Sequence, residues 1–313
     1  MTDRFVVIGA GTMGIGIAYV AAGAGYRVDL VEVDPARVVQ ARMSLAELLA
    51  KAVDRGRLTG DEAAAALRRL NFAEQVPPGA DVVVEAVPEK LELKRAVLAR
   101  AAQARPALLA SNTSSIPISQ LGPGVIGLHF FNPVWAMPLV EIVVGADTPP
   151  GAVAAARAVA ARLGKDPVVV RDQPGFATSR LGLALGLEAI RMVEDGVAAA
   201  ADIDKAMMLG YRHPVGPLEL TDLVGLDVRL DIARTLEAAY GSRFSPPALL
   251  VSLVEAGHLG RKTGRGFYRW TDGVRSSAGQ GSVGQGSTGQ GSAGQGSTDE
   301  GDAGARHGLD DLG

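Results

Sequence analysis

The stretch GAGTMG at residues 9–14 constrains this chain more than any other. An apolar run at residues 5–8 leads straight into it, and a helix-like run continues through residues 19–25. In a strand–turn–helix unit, glycines at this spacing do separate jobs. Gly9 permits the tight turn, Gly11 lets a pyrophosphate approach the backbone, and Gly14 lets helix and strand pack closely. Thr12 and Met13 lie between them in the same turn, as candidate contacts to the same group. The start of the helix then offers free N–H groups and a positive dipole end to phosphate. With 40 glycines in the chain the spacing alone is a weak signal. Its context strengthens it, because Glu32 closes the next strand-like run about 20 residues on, where a ribose-binding carboxylate belongs. A carboxylate there repels a 2′-phosphate and so favours NAD over NADP, although Arg37 stands nearby.

The pattern around this turn predicts the domain plan. Strand-like runs at residues 5–8, 26–34, 81–87 and 107–112 alternate with helical runs at 35–56, 61–70 and 89–104. Pro35 opens the first of these helices, a position where its missing N–H does no harm. Such alternation predicts an α/β fold, a doubly wound Rossmann-type sheet with helices on both faces. Strands at residues 124–131, 139–144 and 167–170 and a helix at 151–163 extend it. After Gly175 no strand signal remains, and helices are expected at 176–195, 201–209, 226–240 and 247–256. The expected domains are therefore 1–173 for the nucleotide and 174–271, all-α, for substrate and dimerisation. Residues 272–313 repeat Gly, Gln and Ser with little apolar content, and such a segment is expected to stay disordered.

Composition excludes several classes. The chain has 313 residues, a net charge of −3 and no cysteine. Nucleic acid is not an expected partner without a basic block. Disulfides, thiol nucleophiles and Cys-based metal sites are ruled out, and no metal is expected. No secretory signal or bilayer-length apolar run is visible, so a cytoplasmic protein without membrane contact is the expectation.

Within the apolar run GLHFFNPV lies His129, one of only four histidines, and the run LVEIV carries Glu141. Alone, such a histidine would read as a satisfied core residue. Together with EAVPEKLELK, SNTSSI, PGFATSRL, DIDKAMMLGYRHPVGPLEL and GRKTGRGFY, however, the chain resembles the 3-hydroxyacyl-CoA dehydrogenase family, near its bacterial 3-hydroxybutyryl-CoA members. The resemblance runs from about Arg4 to Trp270. It implies hydride transfer between NAD(H) and C3 of a 3-hydroxyacyl-CoA. His129 matches the catalytic acid/base, since imidazole titrates near working pH. Glu141 matches its acidic partner, which fixes the tautomer and stabilises the imidazolium. Ser114 matches the serine that contacts the C3 oxygen.

Glu89, Lys94, Asn132 and Lys262 match the family's cofactor contacts. Lys51, Arg55 and Arg57 form a basic cluster in a stretch where the family binds the phosphates of coenzyme A, and a homodimer through the helical domain is implied as well.

Two departures stand out. Ser179 occupies the place of the family's substrate-aligning asparagine, keeping a donor and an acceptor but losing reach. Trp135 and Pro138 replace small and lysine residues in the loop after His129. The indole is expected either to narrow the acyl pocket or to serve as a surface aromatic. Three alternatives stay open: a carrier-protein-bound hydroxyacyl substrate, a small hydroxy acid such as a sugar acid or carnitine, and a non-catalytic nucleotide-binding relative.

Overall fold

The computed structural model describes residues 3–276. Five-, four- and six-residue strands build a single eight-stranded sheet: β1 (Arg4–Ile8), β2 (Arg27–Val31), β3 (Leu70–Ala73), β4 (Val82–Glu85), β5 (Leu108–Ser111), β6 (Val125–Phe130), β7 (Leu139–Val144) and β8 (Asp166–Arg171). Their order is β3-β2-β1-β4-β5-β6-β7-β8. The chain reverses its direction of travel across the sheet between β1 and β4, which creates a crevice at the carboxyl ends of those strands. All ladders are parallel except β6–β7. The central strands read as unbroken apolar runs because helices cover both faces, and Val6, Val7, Val83 and Val84 are fully buried.

Five helices pack on this sheet: α1 (Thr12–Gly23), α2 (Pro35–Asp54), α3 (Gly60–Arg68), α4 (Leu91–Ala102) and α5 (Ala152–Arg162). Asp34 caps α2 by accepting from the Ala36 N–H, and Thr59 with Glu62 closes a capping box on α3. Beyond Gly175 come α6 (Thr178–Glu194), α7 (Ala200–Gly210), α8 (Pro217–Val224), α9 (Leu226–Tyr240) and α10 (Ala248–Glu255). They bury a separate core around Leu183, Leu187, Ile203, Leu218, Leu230 and Leu250. Sheet and helices belong to one compact unit.

Three elements differ from the expectation. Strand β3 was not foreseen, being four residues at the sheet edge directly behind α3, with Arg42 stacked 4.2 Å over its Phe72. Helix α8 was not foreseen either, although Pro217 at its first turn is a start signal. A hairpin of β9 (Trp270–Thr271) and β10 (Val274–Arg275) overlaps the expected start of the tail at residue 272 and adds strand where none was signalled. Trp270 anchors it, donating its indole N–H to Asp222 at 2.8 Å. The rest of the expected tail, from residue 277, lies outside the described residues.

Candidate active site

The glycine turn sits at the carboxyl end of β1, on the crevice. Gly9 has φ +104°, a left-handed conformation that strains any residue with a Cβ. A Cβ on Gly14 would lie 1.8 Å from the Gly9 carbonyl oxygen, so strand and helix could not close. Gly11 is different: a Cβ there meets nothing within 4 Å. It is the N-cap of α1 and offers no side-chain oxygen, which leaves the first N–H groups of the helix to an outside acceptor. Glu32 stands at the end of β2, as expected. One carboxylate oxygen accepts from the Ala10 N–H at 3.1 Å and the other from Val33 and Asp34. The carboxylate thus borders the turn and also braces it.

Next along the crevice, the carboxyl ends of β4 and β5 hold a buried charge network. The Lys94 ammonium lies 2.8 Å from Glu85 and 3.2 Å from Glu89, and donates to the Val87 carbonyl. Ser111 donates to the other Glu85 oxygen at 2.6 Å. Lys94 is 1% exposed, with its donors committed. There its ammonium neutralises Glu85 beneath the surface. Glu89 gathers the SNTSS turn, accepting from the Thr113 hydroxyl and from the Ser114 and Ser115 N–H groups. Burial pushes its carboxyl up, but Lys94 and these donors outweigh it and hold it below the ordinary value. So fixed, the turn projects the half-buried Ser114, whose hydroxyl has no partner among the described residues.

His129 and Glu141 are a register pair on the antiparallel β6–β7 ladder, so their side chains share one face. The His129 Nδ1 lies 2.7 Å from a Glu141 oxygen. With Nδ1–H given to the carboxylate, Nε2 is left as an acceptor. The ring is enclosed by Phe131 and Phe176, with centroids at 4.5 and 5.8 Å. Glu141 is 0% exposed. It also caps α6, whose N-cap is Ala177 and cannot cap itself. The Ala177 and Thr178 N–H groups donate to one oxygen at 3.1 and 2.9 Å, and the Thr178 hydroxyl donates to the other at 2.9 Å. Burial pushes the Glu141 carboxyl up, yet the bonds from His129 and Thr178 prevail and keep it below 4.5.

Thr178 is the residue that sequence reasoning missed. A hydroxyl just behind a Pro–Gly turn at a helix start was the available signal. Asn112 was missed as well; its Oδ1 accepts from the Phe130 N–H at 2.9 Å and ties the end of β5 to that of β6.

A pH dependence follows from Glu141 and Glu89. Their carboxyls titrate lower in the folded chain than in the unfolded one, so their contribution is complete above the ordinary value of 4.5 and is lost as the pH falls through the folded values. Melting temperature is expected to stay level from neutral pH down to about 5 and to drop below about 4.5. Glu141→Gln is expected to flatten part of that acid limb in a thermal-shift titration.

The remaining expected residues divide. Ser179 is half-buried on α6 beside Thr178, with no hydrogen-bond partner among the described residues. Asn132 is exposed in the loop after β6. Lys262 lies in the helical part and is bound to Asp227 at 2.6 Å. Lys51 is paired with Glu47, whereas Arg55 and Arg57 are exposed and enter no ion pair among the described residues. Trp135 packs edge-on against Tyr19 of α1, with centroids 6.0 Å apart. Gly16 admits this loop, since a Cβ there would come within 2.7 Å of Val134. A lysine from outside the loop braces it: the buried Lys165, just before β8, donates to the carbonyls of Val134 and Met137.

Comparison with known proteins converges on this geometry. Residues 4–173 match the family described as 3-hydroxyacyl-CoA dehydrogenase, NAD binding domain, and residues 175–270 match the C-terminal domain of the same enzymes. The chain belongs to the 3-hydroxyacyl-CoA dehydrogenase family. A 3-hydroxybutyryl-CoA dehydrogenase of Mycobacterium tuberculosis is 42% identical over 281 residues, covering 86% of this chain and 98% of that enzyme. The crystal structure of M. tuberculosis FadB2 superposes with a TM-score of 0.83 at 41% identity, over 86% of this chain and 99% of that one. (S)-3-hydroxybutyryl-CoA dehydrogenase PaaH1 from Ralstonia eutropha gives 0.82 at 35% identity, over 87% and 100%. The fold of this dehydrogenase family member is thus an NAD-binding doubly wound domain followed by a helical one. The turn fits the cofactor on its own observations: open space before Gly11, uncapped N–H groups on α1, and a carboxylate rather than a cation at residue 32.

Proposed function

We propose that this dehydrogenase interconverts 3-hydroxyacyl-CoA and 3-ketoacyl-CoA, with 3-hydroxybutyryl-CoA as the reference substrate. The observation that carries the reading is the His129–Glu141 contact of 2.7 Å at the carboxyl edge of the sheet. NAD, when bound, supplies the acceptor for the hydride that leaves C3. As that hydride leaves, the C3 hydroxyl gives its proton to Nε2 of His129, and the bonding pair of the O–H becomes part of the new carbonyl. Glu141 stabilises the imidazolium and keeps the ring from turning. The Ser114 hydroxyl donates to the C3 oxygen as charge develops on it. In reduction the protonated His129 returns the proton.

Gly9, Gly11, Thr12, Met13 and Gly14 would hold the pyrophosphate, with Glu32 on the ribose and Asn132 and Glu89 at the nicotinamide end. Ser179 serves the substrate, in place of a longer amide. Arg55 and Arg57 are the free cations for coenzyme A phosphates. Leu181 and Tyr211, 70% and 76% exposed, support a homodimer formed through the helical domain. No helix among the described residues is long and apolar enough to cross a membrane; the cytoplasm is the expected compartment for this reading. The test is NADH and NADPH oxidation with acetoacetyl-CoA and longer 3-ketoacyl-CoAs. Turnover with preference for NADH is expected. No oxidation with any thioester would overturn the reading in favour of a carrier-protein substrate or a binding protein.

A further inference from the structure

Arg229, in the first turn of α9, is the one charged side chain whose burial nothing in the described structure repays. It is 5% exposed, and its Nε is buried without a hydrogen-bond partner among the described residues. No carboxylate pairs with its guanidinium. Four acids of the helical half are committed elsewhere: Asp222 accepts from Phe267, Tyr268 and Trp270, Asp227 holds Lys262, Glu219 holds Arg275, and Glu188 holds Arg191. Burial without compensation pushes its pKa down to about 10. An unpaired interior cation is strongly unfavourable, so a site of this kind has an anion to receive.

The direction in which the guanidinium points says which anion. Its Nη1 lies 3.6 Å from where a Cβ on Gly182 would be, which is contact distance, so the guanidinium rests against α6 at that glycine. Gly182 stands four residues after Thr178, on the same face of the helix and about 6 Å along its axis. Thr178 is the residue that holds Glu141, and Glu141 holds His129. One helical turn therefore separates the acid/base pair from the unpaired cation, and Ser179 lies between them in sequence. A chain that places its C3 oxygen at His129 and continues along this face of α6 ends at Arg229.

We propose that Arg229 receives a carboxylate at the far end of the acyl chain, so that the preferred substrates are 3-hydroxyacyl thioesters of dicarboxylic acids. This rests on the reading of the His129 site as a 3-hydroxyacyl thioester dehydrogenase. The planar guanidinium suits a carboxylate through paired N–H donors. An acyl chain ending in methyl would leave the cation desolvated and unpaired, which is the form of mismatch that gives large discrimination.

The test compares three 3-ketoacyl-CoAs of equal length that end in carboxylate, primary amide or methyl, repeated over a short series of chain lengths. In the wild type, kcat/KM is expected to favour the carboxylate by about tenfold to a hundredfold over the other two at the best length. Arg229→Leu is expected to erase that preference while turning over the methyl-ended ester, and Arg229→Lys to retain part of it. The wild-type comparison stands even if a variant fails to fold. Equal turnover of all three esters would overturn this assignment and leave the dehydrogenase reading intact. No turnover of any ester would overturn the dehydrogenase reading and this one with it. Loss of the dimer in Arg229→Leu by sedimentation, with an unchanged substrate ratio, would also overturn it, by giving the cation to an acid of a second copy.

Discussion

His129→Ala is expected to lower kcat for 3-ketoacyl-CoA reduction by about 10²- to 10⁴-fold, the usual range for a positioned general acid or base. The imidazole is buried between two aromatic rings and tied at Nδ1 to a carboxylate. Truncating it removes the group that exchanges a proton with the C3 oxygen and leaves the glycine turn, on a different strand, unaltered. NADH affinity, read by fluorescence titration, is therefore expected to be preserved. A variant retaining wild-type turnover would transfer the proton to another group and overturn the mechanism.

The second large effect is on stability. Lys94→Met is expected to cost about 3–5 kcal/mol, because removing one partner strands an uncompensated buried charge. Glu85 is 0% exposed and would lose its counter-ion, while Glu89 would lose part of what holds the SNTSS turn. Denaturant unfolding measures the loss directly. The result separates two roles for this lysine: a cofactor contact would raise the Kd for NADH and leave stability nearly unchanged. Glu85→Gln combined with Lys94→Met should recover much of the loss, since both charges then leave together.

The strand–turn–helix start, the alternation of β and α, and the helical second half were legible because period and punctuation carry them. Glycine spacing between a strand-like and a helix-like run announced the turn, and Glu32 fell where the fold requires a carboxylate. Strand β3 was hidden because an edge strand of four residues has no periodicity to read. Lys94 illustrates a different limit. A lysine in an amphipathic helical run reads as solvated, and only the tertiary fold shows Glu85 and Glu89 converging on it. Thr178 was passed over for its neighbour Ser179 because residue matching looks for the group that touches substrate. The structure shows instead the hydroxyl that holds the carboxylate that holds the ring. Arg229 was legible to no pattern at all, since burial without a partner is a property of the packed state.

The same Glu141 carboxylate binds the His129 ring on one side and the first turn of α6 on the other. One side chain thus joins strand β7, the acid/base ring and the start of α6, so a substitution in the first turn of α6 reaches the ring through two hydrogen bonds without touching substrate or cofactor.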